Sequence, residues 1–133
     1  MMRRYHVITL AVALLCALAL AGCSGSSGPE QATLTNVSSA QLEAMLASPQ
    51  PPLVLDVRTT GEFATGHIPG SVNIPVGELP SRLGELQPTR ATVCVCGSGI
   101  RSIQAGETLL NAGFRSVYNL QGGLATWTDP LET

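Results

Sequence analysis

The chain has 133 residues, enough for one domain of ordinary size and no second. Its seven basic residues are all arginine, and nine acidic residues outnumber them for a net charge of −2. No basic stripe is present, which speaks against nucleic acid as a partner, since phosphate binding depends on clustered positive charge.

Residues 1–22 read as an export leader rather than as part of the domain. Arg3 and Arg4 form a short basic start, and the run from Val7 to Ala21 is almost wholly apolar. That run is short for a membrane span, which needs about 20 apolar residues. Leu20-Ala21-Gly22-Cys23 resembles the lipobox of bacterial lipoproteins. The resemblance implies a mature chain that begins at a lipidated Cys23 and is anchored in the membrane through its acyl chains. Ser24 after the cysteine, rather than Asp, implies the outer membrane, facing the periplasm, if the cell has two. Residues 23–32 are rich in Ser and Gly and read as a flexible tether, leaving residues 33–133 as the domain.

From Thr33 onward, short β-rich runs alternate with helical patterns, which predicts an α/β fold with a mostly parallel sheet. Ser38 and Gln41 have capping-box spacing, with Val37 and Leu42 placed as a hydrophobic staple, and Leu42, Met45 and Leu46 form the stripe behind them. The next strand, Leu53 to Val57, is apolar except for Asp56, as in a sheet covered on both faces. Thr59 with Glu62 predicts a short helix ending at Gly66, followed by a turn and a brief strand from Ser71 to Ile74. Leu79, Leu83 and Leu86 predict one further helix. The strand Thr92 to Cys96, a helix over Ser102 to Asn111 stopped by Gly113, the strand Ser116 to Leu120, and a last helical turn around Trp127 after Gly122-Gly123 complete the chain.

The chemistry points to Cys96. A strand that ends in cysteine and turns through Gly97, Ser98, Gly99 and Ile100 into a helix begun by Arg101 and Ser102 sets a thiol beside unpaired backbone N–H groups, a place that favours anions. Helix-start charge and the Arg101 guanidinium are expected to lower the thiol pKa below its ordinary value of about 8.5, giving an exposed, acidified nucleophile. A buried cysteine ending a core strand is the competing reading. With Cys16 lost and Cys23 lipidated, the domain keeps two cysteines, Cys94 and Cys96. Residues two apart in a strand stand roughly 6.5 to 7 Å apart, at the limit of disulfide geometry, so Cys94 reads as a core residue. These two cysteines and His67 fall short of a closed zinc site, and no metal or cofactor is expected.

Several stretches taken together resemble the single-domain rhodaneses. They are Leu55-Asp56-Val57-Arg58, Glu62-Phe63, Gly66 to Pro75, the Cys96 loop closing with Arg101-Ser102, and Gly122-Gly123 before Trp127. The resemblance implies a five-stranded parallel sheet flanked by helices on both faces. It also implies a sulfurtransferase in which Cys96 takes a sulfane sulfur from thiosulfate or a persulfide or polysulfide donor and passes it to a thiol or cyanide. Four residues separate Cys96 from Arg101, one fewer than in related phosphatase-like loops that hold a tetrahedral phosphate. The loop lacks the basic residue that thiosulfate-using members often carry, which leaves the donor open. Arg101 is expected to hold the loop or steer an anionic donor. Asp56, Arg58, Glu62 and His67 read as scaffold, with Asp56 and Arg58 near enough to a strand end to brace the loop. Trp127 reads as core packing. A non-catalytic module that binds a partner or senses oxidants is the alternative function.

Overall fold

The computed structural model describes residue 28 and residues 30–133; the expected leader, Cys23 and most of the tether lie outside the described residues. Five short runs form the strands: β1 (Thr35–Val37), β2 (Leu53–Asp56), β3 (Val72–Asn73), β4 (Thr92–Val95) and β5 (Val117–Leu120). They make one parallel sheet in the order β1-β5-β4-β2-β3. β4 is buried along its whole length, which explains its unbroken apolar and β-branched sequence.

Four helices join the strands: α1 (Ser39–Leu46), α2 (Thr60–Ala64), α3 (Leu79–Arg82) and α4 (Ile100–Asn111). α1 starts with the expected box, in which Ser38 Oγ accepts from the Gln41 amide and Gln41 Oε1 accepts from the Ser38 amide. Thr59 and Glu62 do the same for α2. The staple pair Val37 and Leu42 is buried in one core cluster, with Val54, Ile68, Val93, Val95 and Leu120. The opposite face of the sheet carries the other cluster, where Leu79 of α3 and Ala105 and Leu109 of α4 cover Leu55, Cys94 and Val117.

The helix expected over Leu79 to Leu86 is divided: after α3 the chain tightens into a 3-10 turn, Leu83–Glu85, containing Gly84, a poor helix former. α4 begins at Ile100, two residues ahead of the expected start, because Gly99 caps it in the left-handed region at φ +92°. The last expected helical turn is a 3-10 turn, Gly123–Thr126, with Trp127 just beyond it, packed against the α1 side of the sheet.

Adjacent strands β2 and β4 send their chains in opposite directions, β2 toward β3 and β4 toward β5. This divergence opens the crevice at their carboxyl ends, the place where open α/β sheets hold ligands. Cys96 follows β4 there, and Asp56 closes β2. Asp56 is 1% exposed, and its carboxylate takes Nε and Nη2 of Arg58 at 3.0 and 2.7 Å. Arg58 also donates to the carbonyls of Glu62 and Gly66, so one guanidinium fastens α2 and the turn after it to the sheet. Removing one partner strands a buried charge. Arg58→Ala is therefore expected to destabilise the domain by about 3–5 kcal/mol in urea denaturation.

Candidate active-site loop

The loop from Cys96 to Ser102 is fixed first by its carbonyls. Leu124 N–H donates to the carbonyl of Cys96 at 2.9 Å, and Ala125 N–H donates to that of Gly97 at 3.2 Å. Such close approach needs glycine at position 123: a Cβ there would stand 2.3 Å from the Cys96 carbonyl oxygen and 2.7 Å from Gly97, at a φ of +61°.

With the carbonyls taken, amides turn toward the sulfur. Gly99 N–H donates to Cys96 Sγ at 3.0 Å, and Ser102 Oγ lies 3.4 Å from it. Burial raises the Cys96 pKa, but the Ser102 hydroxyl and the amides of Ser102, Ser98 and Gly99 outweigh it, leaving the thiol below its ordinary value. Cys94, two residues earlier within β4 and deeper in the core, meets no such donors, and burial pushes it up to about 12. Both cysteines are free thiols.

Two expectations about the sulfur are corrected. Cys96 is not exposed: it has 0% exposure and belongs to the core cluster on the α4 side, because the loop closes over its own sulfur. Ser98 and Ile100 form the solvent side of the loop instead, with Ile100 74% exposed. Arg101 is also not the main group that acidifies the thiol: the hydrogen bonds come first, and its charge acts on Cys96 only through space. Its Nη1 and Nη2 reach Glu62 at 2.8 and 2.7 Å, so its charge is met by a carboxylate and it acts as a strap between α4 and α2.

Glu62 therefore serves two partners. Arg101, together with the Thr59 amide and hydroxyl, holds its carboxyl well below the usual carboxylate range. A carboxyl lowered on folding contributes stability above its ordinary pKa and loses it as pH falls, so the strap persists through the mildly acidic range. Asp56 and Arg58 brace the loop only at one remove, through α2 and Glu62. His67 stacks on Phe63 with ring centroids 3.7 Å apart, and its backbone pairs with that of Glu132, a scaffold role.

One polar residue escaped the sequence reading. Asn119 of β5 is 2% exposed, and its Oδ1 accepts from Ser102 Oγ at 2.5 Å. The available signal was an asparagine inside the otherwise apolar stretch Val117 to Leu120.

Gly123→Ala is expected to cost about 2 kcal/mol or more in urea denaturation and to open Cys96 to alkylation, because the atoms it meets are backbone and cannot swing aside. Gly77→Ala, with nothing within 4 Å of its Cβ, is the control and is expected to change neither.

Known proteins resemble this chain in sequence and in fold. The Rhodanese-like domain family model matches residues 38–130. A sulfurtransferase of Allochromatium vinosum is 36% identical over 94 residues, covering 71% of this chain and 88% of that protein. The thiosulfate sulfurtransferase GlpE of Shewanella oneidensis is 36% identical over 74 residues, covering 56% of this chain and 73% of its own length. Among solved structures, a rhodanese-like domain protein from Staphylococcus aureus superposes with a TM-score of 0.69 at 31% identity, covering 74% of this chain and 96% of that one. By sequence and by fold, this chain belongs to the rhodanese-like domain family.

Proposed function

We propose that the protein is a rhodanese-type sulfurtransferase that carries sulfur as a persulfide on Cys96. The observation that carries this reading is the contrast between two thiols two residues apart: only Cys96, just past the end of β4, meets hydrogen-bond donors that favour its anion. Relatives named sulfurtransferases support it.

The Cys96 thiolate attacks the sulfane sulfur of the donor. A new S–S bond forms, the donor's own bond to that sulfur breaks, and the leaving group, sulfite in the case of thiosulfate, departs with the electron pair. A thiol or cyanide then attacks the outer sulfur and the thiolate is released. Amides of Ser98, Gly99 and Ser102 are placed to share the negative charge through both steps.

Charge favours one donor class. The only cation in the loop, Arg101, is paired with Glu62, so doubly charged thiosulfate meets no free positive group there. An alkyl persulfide, with a single negative charge on its sulfur chain, fits better. The enclosed sulfur favours a second reading, a module that binds a partner or senses oxidants without turnover.

The test is to incubate the purified protein with thiosulfate or with a low-molecular-weight persulfide and look for one added sulfur by mass spectrometry. The adduct is expected on Cys96, more readily from the persulfide, removable by cyanide and absent in Cys96→Ser. No adduct from any sulfane donor would favour the second reading.

We further propose that the protein is exported and held at a membrane by lipid on Cys23, with residues 23–32 as the tether, at the outer membrane facing the periplasm in a cell that has two. Anchoring by acyl chains grows by about 0.8 kcal/mol per buried CH₂. Cys23→Ala is accordingly expected to move the protein from the membrane fraction to the soluble or unprocessed fraction, read by fractionation and immunoblot.

A further inference from the structure

Three polar side chains continue from Cys96 across the sheet. Ser102 Oγ lies 3.4 Å from Cys96 Sγ and donates to Asn119 Oδ1 at 2.5 Å, and Asn119 Nδ2 donates to Asn36 Oδ1 at 2.9 Å. Ser102 and Asn119 are buried, whereas Asn36 is exposed on the edge strand β1. Asn36 and Asn119 are register partners, as are Asn119 and Cys94, so these side chains share one face of the sheet with the sulfur cradle.

A serine hydroxyl has one proton and two sites for accepting. A separation of 2.5 Å suits O–H···O and is short for N–H···O, so the carbonyl oxygen of Asn119 faces Ser102 and takes its proton. The bond to Asn36 keeps the amide that way round. Ser102 then presents lone pairs to Sγ, an arrangement that accepts a hydrogen bond from a thiol and gives nothing to a thiolate. To donate to the thiolate, the hydroxyl must rotate and leave Asn119. The acidifying effect of the Ser102 hydroxyl belongs to that rotated position.

We propose that Asn119 is a positioning residue for Cys96: by competing for the single Ser102 proton, it holds the covered sulfur as a thiol and yields the hydroxyl when the sulfur ionises. This rests on the reading of Cys96 as the nucleophile. The competition suits a buried sulfur, because charge held away from solvent is costly until it is fully hydrogen-bonded. The other ionisable groups near the loop are Cys94, the Arg101–Glu62 pair and the Asp56–Arg58 pair. All are left in place by the variants below.

The experiment is the pH dependence of iodoacetamide alkylation in the full-length protein in detergent, read at Cys96 by fragment-ion mass spectrometry so that the other cysteines do not contribute. Asn119→Ala is expected to lower the midpoint by about half a pH unit to one unit, the worth of one net hydrogen bond. Ser102→Ala is expected to raise it. In Ser102→Ala the added Asn119→Ala change is expected to have no further effect, since Asn119 acts only through that hydroxyl. Asn36→Ala, at an exposed edge position, is expected to give a smaller shift in the same direction and carries the test if Asn119→Ala does not fold. An unchanged or raised midpoint in Asn119→Ala, or in Asn36→Ala where that variant carries the test, overturns the proposal. So does a shift that persists without Ser102. A wild-type midpoint at the ordinary thiol value would instead sink the nucleophile reading itself.

Discussion

The site depends on a division of labour within one stretch of backbone. Between Cys96 and Ser102 the first carbonyls are used by Leu124 and Ala125, while amides turn inward to the sulfur. Peptide groups are planar, so fixing the carbonyl on one side fixes the N–H that follows on the other. The glycine pair Gly122-Gly123 is thus part of the sulfur site although neither residue touches the sulfur, because it lets a second backbone come close enough to set the first. The Arg101–Glu62 strap holds the far end of the same loop. Together these contacts hold the amides around the Cys96 sulfur in a fixed arrangement, the condition for electrostatic stabilisation of a negative charge there.

Much of the fold was legible because its signals are local. Two capping boxes and a staple lie within a few residues of sequence, and all are present as read. Four of the five strand positions followed from β-branched runs, and their parallel order from the alternation with helices; β1, three residues long and mostly exposed, was not marked out. Strand ends moved by a residue, and the helix boundaries moved further where glycine acts: Gly84 lies where the third helix tightens, and Gly99 starts the fourth early.

The cysteine at the centre of the loop was legible, but the contacts that hold it were not. Glu62 reads locally as a cap, and it is one, yet its pairing with Arg101 spans 39 residues and has no spacing rule. Asn119 is a similar case, a polar residue on a strand whose partner is set by the sheet order and the path of α4. The exposure of Cys96 failed for a different reason. A sequence shows that a loop can gather amides around a sulfur, but how tightly it closes over that sulfur is a matter of three-dimensional packing.

Cys94 and Cys96 isolate what raises or lowers a thiol pKa in this fold. They share a residue type, a face and closure to solvent, but Cys94 sits deeper in the core, within β4. Cys94 lies within regular β structure, where its neighbours' amides are used by the adjoining strands. Cys96 comes one residue after the strand ends, where the sheet stops claiming the following amides and they become free to serve a side chain. The same burial that holds Cys94 protonated makes each hydrogen bond to Cys96 count for more, because little water competes for it. Moving a cysteine by one pleat therefore exchanges an inert core residue for an ionisable one, and the end of β4 is the boundary between the two.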